Sequence, residues 1–250
     1  MSSPNFNARK LPVSILVLHY TGMESGAAAR ERLCDPAAEV SAHWIVYEDG
    51  RIENLVAEEN RAWHAGRGSW NGIADVNSAS IGIEIVNGGH NVPLADGSLP
   101  PYPDAQILAV IKLAKDIIER HGIKAQNVVG HSDIAPERKE DPGEHFPWAG
   151  LAAAGVGLWP APVDTDETQD TRILFEAGDR DRGISIIQRG LADLGYGASV
   201  TGCLDEPTQA IIRAIQRRYR PTKIDGVIDM PVMEIIKRLS EMNRSGNSNA

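Results

Sequence analysis

The sequence predicts an α/β fold, in which a mixed central sheet is flanked by helices, followed by a small all-α domain of three helices. Short apolar runs rich in β-branched residues are typical of buried strands, and here they alternate with helical patterns. A stretch rich in Ala, Gly, Pro and acidic residues then follows. Beyond it, a helix-start pattern at Gly202 is repeated at Gly226. We therefore expect two structural units joined by a linker.

The first elements are predicted from apolar runs and the turn residues between them. Residues 14–18 (S-I-L-V-L) predict a buried strand with His19 at its C-terminal end. Residues 25–34 predict a short helix that ends before an Asp-Pro pair. Two further apolar runs flank Asp49-Gly50, and this pair accommodates the positive φ angles of a tight turn. We therefore expect a β-hairpin around that pair.

Residues 60–77 show neither a helical nor a strand period and predict a loop. This loop carries Trp63, His64 and Trp70. Large aromatic side chains are costly to expose to water, so we expect the loop to fold onto the core or to line a cleft.

The run I-G-I-E-I-V at residues 81–86 predicts a strand with a carboxylate near its centre. Because side chains alternate between the faces of a strand, Glu84 shares a face with Gly82. A carboxylate in an apolar strand is costly unless it is paired or has a chemical role. Glu84 is therefore the first candidate for catalysis, although such carboxylates also occur at sheet edges.

The most regular helical pattern follows a long loop at residues 87–103. Pro103 is placed to open this helix and Gly122 to close it. The apolar residues on its single apolar face are Ile107, Leu108, Ile111, Ala114, Ile117 and Ile118. The next apolar run, at residues 127–130, predicts a short buried strand that ends before His131.

The predicted organisation is a large α/β domain at residues 1–160, a linker at 161–178 and a three-helix domain at 179–250. In the repeat of the last domain, Asp205 and Asp229 are placed to cap helices, and Pro207 and Pro231 to occupy the first turns. This domain contains no cluster of catalytic residue types. We therefore expect it to bind rather than to react.

Composition excludes several classes of protein. The formal net charge is −9 with no basic stripe, which argues against a nucleic-acid partner. No apolar run approaches the roughly 20 residues that cross a bilayer, so we expect no membrane span. The apolar stretch near the start lacks a cleavage site, which predicts a cytoplasmic protein, or a periplasmic or envelope one if the N-terminus is processed or engineered. Cys34 and Cys203 leave the redox compartment open.

Two imidazoles and one carboxylate are candidate zinc ligands: His19, His131 and Asp141. Three protein ligands with an open fourth position are typical of catalytic zinc, which makes water a nucleophile for an amide carbonyl. Glu84 is a candidate general base, and Lys139 is placed to stabilise the developing oxyanion. The alternatives are core histidines, a turn residue before Pro-Gly for Asp141, and a solvated lysine.

Five ordered motifs resemble one family. They are H-Y-T-G at 19–22, S-A-H-W-I-V-Y-E-D-G at 41–50, A-W-H-A-G at 62–66, I-G-I-E-I-V-N at 81–87 and G-H-S-D-I-A-P-E-R-K-E-D-P-G at 130–143. Together they resemble the zinc-dependent N-acetylmuramoyl-L-alanine amidases of the AmpD and AmiD type, which are related to the peptidoglycan recognition proteins. The resemblance covers roughly residues 10 to 160 and implies that the first domain is a zinc amidase.

The resemblance implies one Zn²⁺ per chain and cleavage of the amide between N-acetylmuramic acid, or its 1,6-anhydro form, and L-alanine. The substrate would be peptidoglycan or muropeptides. It also implies roles for individual residues: zinc ligands at His19, His131 and Asp141, the base at Glu84 and transition-state stabilisation by Lys139. His43 and His64 match motif positions, and with Trp63 they are predicted to contact the substrate.

The C-terminal domain resembles the three-helix peptidoglycan-binding domain of cell-wall hydrolases. L-G-Y at 194–196 and Ile215-Gln216 fit that pattern, but an isoleucine replaces the aromatic residue usual before the glutamine. Two alternative functions remain open at this point: a non-catalytic protein that recognises muropeptides, and a structural envelope scaffold. The sequence does not address the oligomeric state.

Overall fold

The computed structural model describes residues 2–160 and 170–248. Its strands are β1 (Phe6–Ala8), β2 (Ile15–Tyr20), β3 (Trp44–Val46), β4 (Ile52–Asn54), β5 (Asn60–Ala62), β6 (Ser80–Ile85), β7 (Val128–Gly130), β8 (Ile173–Phe175) and β9 (Ile228–Asp229). Its α-helices are α1 (Gly26–Cys34), α2 (Val76–Ala79), α3 (Asp104–His121), α4 (His131–Ile134), α5 (Trp148–Ala153), α6 (Arg182–Asp193), α7 (Glu206–Tyr219) and α8 (Met230–Ser248). Within these described ranges, no helix has the length and apolar character needed to cross a membrane.

The central sheet has five strands in the order β4-β3-β6-β2-β7. The pairs β3–β6, β6–β2 and β2–β7 are parallel, and β3–β4 is antiparallel. The predicted mixed sheet with flanking helices is therefore confirmed. The register places His19 beside Glu84 and Leu18 beside Gly130. Because the carboxyl ends of parallel strands meet at one edge of a sheet, His131, the residue after Gly130, joins His19 and Glu84 there.

Local signals account for most of the elements. The antiparallel β3–β4 pair confirms the hairpin around Asp49-Gly50. Ser25 caps α1 by accepting from the Ala28 N–H, and Gly122 ends α3 in the left-handed conformation with φ of +63°. The helix α3 packs on the sheet through Val110, Leu113, Ala114 and Ile117, and the predicted face is wrong for Leu108, which is 67% exposed.

The prediction that residues 60–77 lack regular structure is wrong in part. Asn60–Ala62 pairs antiparallel with Phe6–Ala8, and Val76–Ala79 forms one helical turn whose N-cap, Asp75, accepts from the Ser78 N–H. A three-residue strand has too few residues to show a period, and its partner lies more than fifty residues away in the chain. The remaining loop folds onto the core through Trp70, which is 3% exposed.

The C-terminal unit contains the three helices α6, α7 and α8. Asp205 accepts from the Thr208 N–H at 3.1 Å, and Asp229 accepts from the Val232 N–H at 3.1 Å, so both repeated helix starts are confirmed. The strand β8, inside the predicted linker, pairs with β9 of this unit. Residues 161–169 of the predicted linker lie outside the described residues.

One hydrophobic core runs through both units. Its buried members in the first unit include Ile15, Val17, Trp70, Val129 and Ile134, and its members in the second include Ile184, Leu191, Tyr196, Ile211 and Ile215. A second cluster, between α3 and the sheet, belongs to the first unit. The two units are therefore joined by apolar packing as well as by the linker.

Candidate active site

Three atoms of the types that bind metals converge at the carboxyl edge of the sheet. His19 Nδ1, His131 Nδ1 and Asp141 Oδ2 lie 3.0 Å from one another in all three pairs, and the three side chains are buried. Ligand atoms about 2.0–2.2 Å from a tetrahedral zinc ion lie roughly 3.3 Å apart, so this triangle has nearly the dimensions of such a site. The structure thus brings the three predicted ligands together.

Different elements position the three side chains. His19 is the penultimate residue of β2, and His131 begins α4 directly after β7. Asp141 lies in the loop that follows α4, and its peptide bond to Pro142 is cis. This loop returns to the helix start through the Ser132 N–H, which donates to the Asp141 carbonyl at 2.9 Å.

The hydrogen bonds of His131 show which of its nitrogens is free. Its Nε2 lies 2.9 Å from the carbonyl oxygen of Ala65, which can only accept. In the tautomer that this bond selects, Nε2 carries the proton and Nδ1 presents a lone pair to Asp141. A lone pair facing a carboxylate is unfavourable unless a cation lies between them.

A longer chain of contacts leads to the same result for His19. The Ser80 hydroxyl donates to the Val76 carbonyl at 2.6 Å, so its oxygen accepts from Nε2–H of His64 at 3.2 Å. The His64 Nδ1 is then an acceptor for Nε2–H of His19, at 3.0 Å. The His19 Nδ1 consequently presents a lone pair to the same point as His131 Nδ1.

The charge states agree with a cation site. Burial, followed by the neighbouring His131, lowers the pKa of His19 to about 4, so its ring is neutral at neutral pH. Burial also acts to raise the pKa of Asp141, but His131 and His19 beside it overcome this and hold the pKa well below its ordinary value. Imidazole nitrogens and an ionised carboxylate are ligand types that zinc prefers. The residues present therefore fit the ion that the sequence predicted.

Glu84 lies beside His19 on the neighbouring strand and lines the same cleft. Its Oε2 is buried and has no hydrogen-bond partner among the described residues. Burial first, and then the charge of Asp141, raise the pKa of Glu84 well above its ordinary value, while Lys139 opposes this shift. A carboxylate with a free oxygen and a raised pKa suits a general base.

Lys139 lies two residues before Asp141 and lines the cleft. Its backbone N–H donates to the Ala135 carbonyl at 3.1 Å, which holds the segment after α4 in a turn. The neighbouring Arg138 donates to the carbonyls of Ala65 and Arg67 and thereby holds the loop that orients His131. The ammonium group of Lys139 forms no ion pair within the part of the chain that the structure describes.

The cleft has a volume of about 570 Å³, which is within the range of roughly 300–1,000 Å³ for small-molecule sites. Besides the residues already placed, it is lined by Tyr20, Met23, Arg32, Trp63 and Asn91. The triangle of ligand-type atoms therefore opens onto a space large enough for a sugar with an attached peptide.

The three predicted substrate contacts occupy different positions. Trp63 and His64 line the cleft, and the Trp63 Nε1–H donates to Asn7 Oδ1 at 3.2 Å. His43 is fully buried and lies outside the cleft lining, with Nδ1 accepting from the Gly82 N–H at 3.0 Å. Substrate contact stays a prediction for all three residues, and the structure gives His43 no surface on the cleft.

Sequence reasoning missed the residues that support the ligands, including Ser80 and the Ala65 carbonyl. It also missed why position 82 is a glycine. A Cβ atom on Gly82 would lie 2.5 Å from the His64 ring. The sequence did contain a signal for this. Gly82 and Glu84 lie on the same face of β6, so the face that carries the candidate base has no side chain at position 82.

Comparison with known proteins adds two family matches. Residues 9–144 match the family described as N-acetylmuramoyl-L-alanine amidase, and residues 180–236 match the family described as putative peptidoglycan binding domain. The chain is 37% identical over 239 residues to N-acetylmuramoyl-L-alanine amidase AmiD of Escherichia coli, covering 92% of this chain and 83% of AmiD. It is 39% identical over 110 residues to 1,6-anhydro-N-acetylmuramyl-L-alanine amidase AmpD of E. coli, covering 44% of this chain and 55% of AmpD.

Solved structures match over nearly the whole chain. E. coli AmiD in complex with the substrate anhydro-N-acetylmuramic acid-L-Ala-D-γ-Glu-L-Lys has a TM-score of 0.76 at 35% identity, covering 94% of this chain and 92% of that one. AmpDh3 of Pseudomonas aeruginosa in complex with anhydromuramic pentapeptide has a TM-score of 0.76 at 33% identity, covering 97% of this chain and 95% of that one.

Proposed function

The chain belongs to the N-acetylmuramoyl-L-alanine amidase family and is an amidase, and we propose that it works with one zinc ion held by His19, His131 and Asp141. One observation carries the proposal: two imidazole lone pairs and an ionised carboxylate oxygen converge in a buried place, 3.0 Å from one another. Three ligands beside a cleft leave a fourth position open, as catalytic zinc requires.

When bound, zinc supplies Lewis-acid chemistry, because it polarises the scissile carbonyl and makes water easier to deprotonate. Glu84 takes a proton from the water that adds to the lactyl carbonyl carbon of the muramic acid. The proton then passes to the amide nitrogen as the C–N bond breaks. The products are a muramic acid carboxylate and a peptide with a free L-alanine amino group, while Lys139 provides positive charge for the oxygen that becomes negative.

The proposed substrate is a soluble 1,6-anhydro-muropeptide. This is supported by the AmiD and AmpDh3 structures, whose bound molecules are an anhydromuramic tripeptide and pentapeptide. The match to a putative peptidoglycan binding domain supports intact peptidoglycan as the competing substrate. Preference for the soluble substrate would support a cytoplasmic role, and preference for sacculi would support a role in the envelope.

One assay tests this proposal. Purified protein, as isolated and after chelation followed by zinc addition, is mixed with anhydro-muropeptide or with sacculi, and release of the peptide is followed by chromatography. We expect cleavage that is lost on chelation and restored by zinc. Activity that survives complete removal of metal would contradict the zinc proposal. Muropeptide binding without peptide release would indicate a recognition protein instead.

A further inference from the structure

The carboxylate of Asp133 holds the turn that presents His131. Asp133 lies two residues after His131 in α4 and is 1% exposed. Its Oδ2 accepts from the backbone N–H of Gly130 at 2.8 Å, directly before His131. This hydrogen bond stabilises the turn between β7 and α4, so the position of Asp133 sets the position of His131.

Both oxygens of Asp133 are bound by the C-terminal unit. Arg218 Nη1 donates to Oδ2 at 2.9 Å, and the Tyr196 hydroxyl donates to Oδ1 at 2.9 Å. Arg218 is 6% exposed, lies over the Trp148 ring at 3.8 Å and also donates to the Val128 carbonyl of β7 at 3.2 Å. Arg218 and Asp133 therefore form a buried ion pair, which joins the two units beside the turn that carries His131.

The adjacent arginine reaches the other side of the site. Arg217 Nη2 donates to Glu140 Oε1 at 3.0 Å, and its Nε lies 3.5 Å from Glu144 Oε2. These two carboxylates lie on either side of Asp141 in the chain. Two consecutive residues of α7 thus contact the helix that carries one candidate ligand and the loop that carries another.

Apolar packing holds these contacts in place. The Tyr196 and Trp70 rings meet edge to face with centroids 5.0 Å apart, and Ile211 and Ile215 of α7 belong to the same buried core as Ile134 of α4. Tyr196 is the last residue of the L-G-Y motif by which the unit resembles peptidoglycan-binding domains. In this chain its hydroxyl is directed at the catalytic unit and is buried.

We propose that the C-terminal unit is a structural part of the active site, in which Arg218 and Tyr196 position His131 through Asp133 and Arg217 positions the loop of Asp141. This inference rests on the proposed function, because it takes His131 and Asp141 to be metal ligands. A site whose ligands are held in place before the ion arrives binds it more tightly, and loss of supporting contacts commonly weakens metal affinity by about 10- to 100-fold.

The test is the zinc affinity of the full-length Arg218→Met variant, measured by competition with a chromophoric chelator at a temperature where circular dichroism shows a folded protein. We expect the Kd for zinc to rise by about tenfold or more, with kcat reduced more than KM is raised. Arg213→Met is the matched control, since Arg213 pairs with the exposed Glu206 within α7. Arg220→Met removes a pair with Asp229 inside the unit and measures general weakening of the unit.

A zinc Kd of Arg218→Met equal to that of the wild type, or an equal loss in Arg220→Met, would overturn the inference. If Arg218→Met does not fold, Tyr196→Phe replaces it, because this variant keeps the ring and loses only the hydroxyl that binds Asp133. We then expect a Kd for zinc that is roughly two- to tenfold higher, and an unchanged Kd overturns the inference. Failure of the wild-type protein to bind zinc would instead overturn the proposed function on which the inference rests.

Discussion

At the scale of single residues, Ser80 illustrates how a remote hydroxyl decides the chemistry of the site. Among the described residues, no hydrogen bond joins its side chain to the three candidate ligands, yet its bond to the Val76 carbonyl leaves its oxygen as an acceptor for His64. The His64 Nδ1 then accepts a hydrogen bond from Nε2–H of His19. The His19 Nδ1 is free for a cation only because this order of donors and acceptors holds.

Glu84 is expected to act on the water and not on the metal. We expect Glu84→Gln to bind zinc as tightly as the wild type but to lose about 10²- to 10⁴-fold in kcat, because an amide cannot take the proton from water. Zinc content by elemental analysis and turnover of anhydro-muropeptide measure the two effects. Near wild-type turnover would remove Glu84 from the role of base. Loss of zinc would show instead that Glu84 supports the metal site.

At the scale of elements, the strand β6 contributes to the site because it has no side chain at position 82. Gly82 leaves space for the His64 ring, two residues before Glu84 projects from the same face. A strand with a side chain at 82 would exclude the ring that orients His19. Two hydrogen bonds also join Gly82 to His43. The Gly82 N–H donates to His43 Nδ1, and the His43 N–H donates to the Gly82 carbonyl.

We expect Gly82→Ala to destabilise the protein by about 1–3 kcal/mol, because the new methyl group and the His64 ring cannot occupy the same space. Displacement of His64 should also weaken zinc binding about tenfold. Urea unfolding and chelator competition measure the two effects. Gly190→Ala in α6 is the matched control, since nothing lies within 4 Å of its new Cβ. This control should be stabilised by up to about 1 kcal/mol, and an equal response of both variants would contradict the steric explanation.

The stability of the protein is expected to depend on pH through His43, which joins the strands β3 and β6. Burial first, and then the charge of Arg9, lower the pKa of His43 to about 4 from its ordinary 6.5. Between these values the unfolded chain binds the proton and the folded chain does not, so stability is fully present above 6.5 and falls as the pH is lowered towards 4. From pH 7 to pH 4.5, this loss amounts to roughly 2–3 kcal/mol from His43 alone.

Urea unfolding of His43→Gln over this pH range tests the effect, and the variant should show a shallower loss of stability than the wild type. His90→Gln should change the slope in the opposite direction. The hydrogen bond that His90 donates to the Glu144 carboxylate raises the pKa of His90, so the contribution of His90 to stability is lost as the pH rises. Identical slopes for the wild type and His43→Gln would mean that His43 is protonated equally in both states.

At the scale of the whole molecule, the two units share one core and a buried ion pair. Trp70 and Ile134 of the first unit are buried in the same cluster as Tyr196 and Ile211 of the second. Arg218 and Asp133 form a buried ion pair, and loss of either residue would leave the other charge buried without its counter-charge. Separation of the units would expose this apolar surface and leave both charges without a counter-charge.

We therefore expect a single unfolding transition for the whole chain, with calorimetric and van't Hoff enthalpies that agree. Differential scanning calorimetry of the zinc-loaded and chelated protein measures this. Arg218→Met should separate the transitions or lower the shared one, whereas Arg213→Met should do neither. Two well-separated transitions in the wild type would show that the units unfold independently.

The sequence by itself predicted the longer strands and helices and named the residues of the candidate site, but it did not predict short elements such as β1, β5 and α2. Apolar runs and turn residues predicted β2, the hairpin and α3, and the repeated Asp and Pro positions predicted α7 and α8. His19 and His131 lie at the ends of buried strands, and Asp141 stands before a Pro-Gly turn, so their residue types and places in the chain predicted a metal site. These signals extend over a few residues, which is why they can be interpreted from the sequence alone.

Only the tertiary structure decided which atoms meet and which support them. The pairing of β1 with β5, the order of donors from Ser80 to His19, and the ion pair of Arg218 with Asp133 join residues that are far apart in the chain. Ser80, Tyr196 and Arg218 have no local pattern that marks them as supports of a metal site. Their roles come from the packing of one element on another, because distance and direction between remote side chains exist only after the chain has folded.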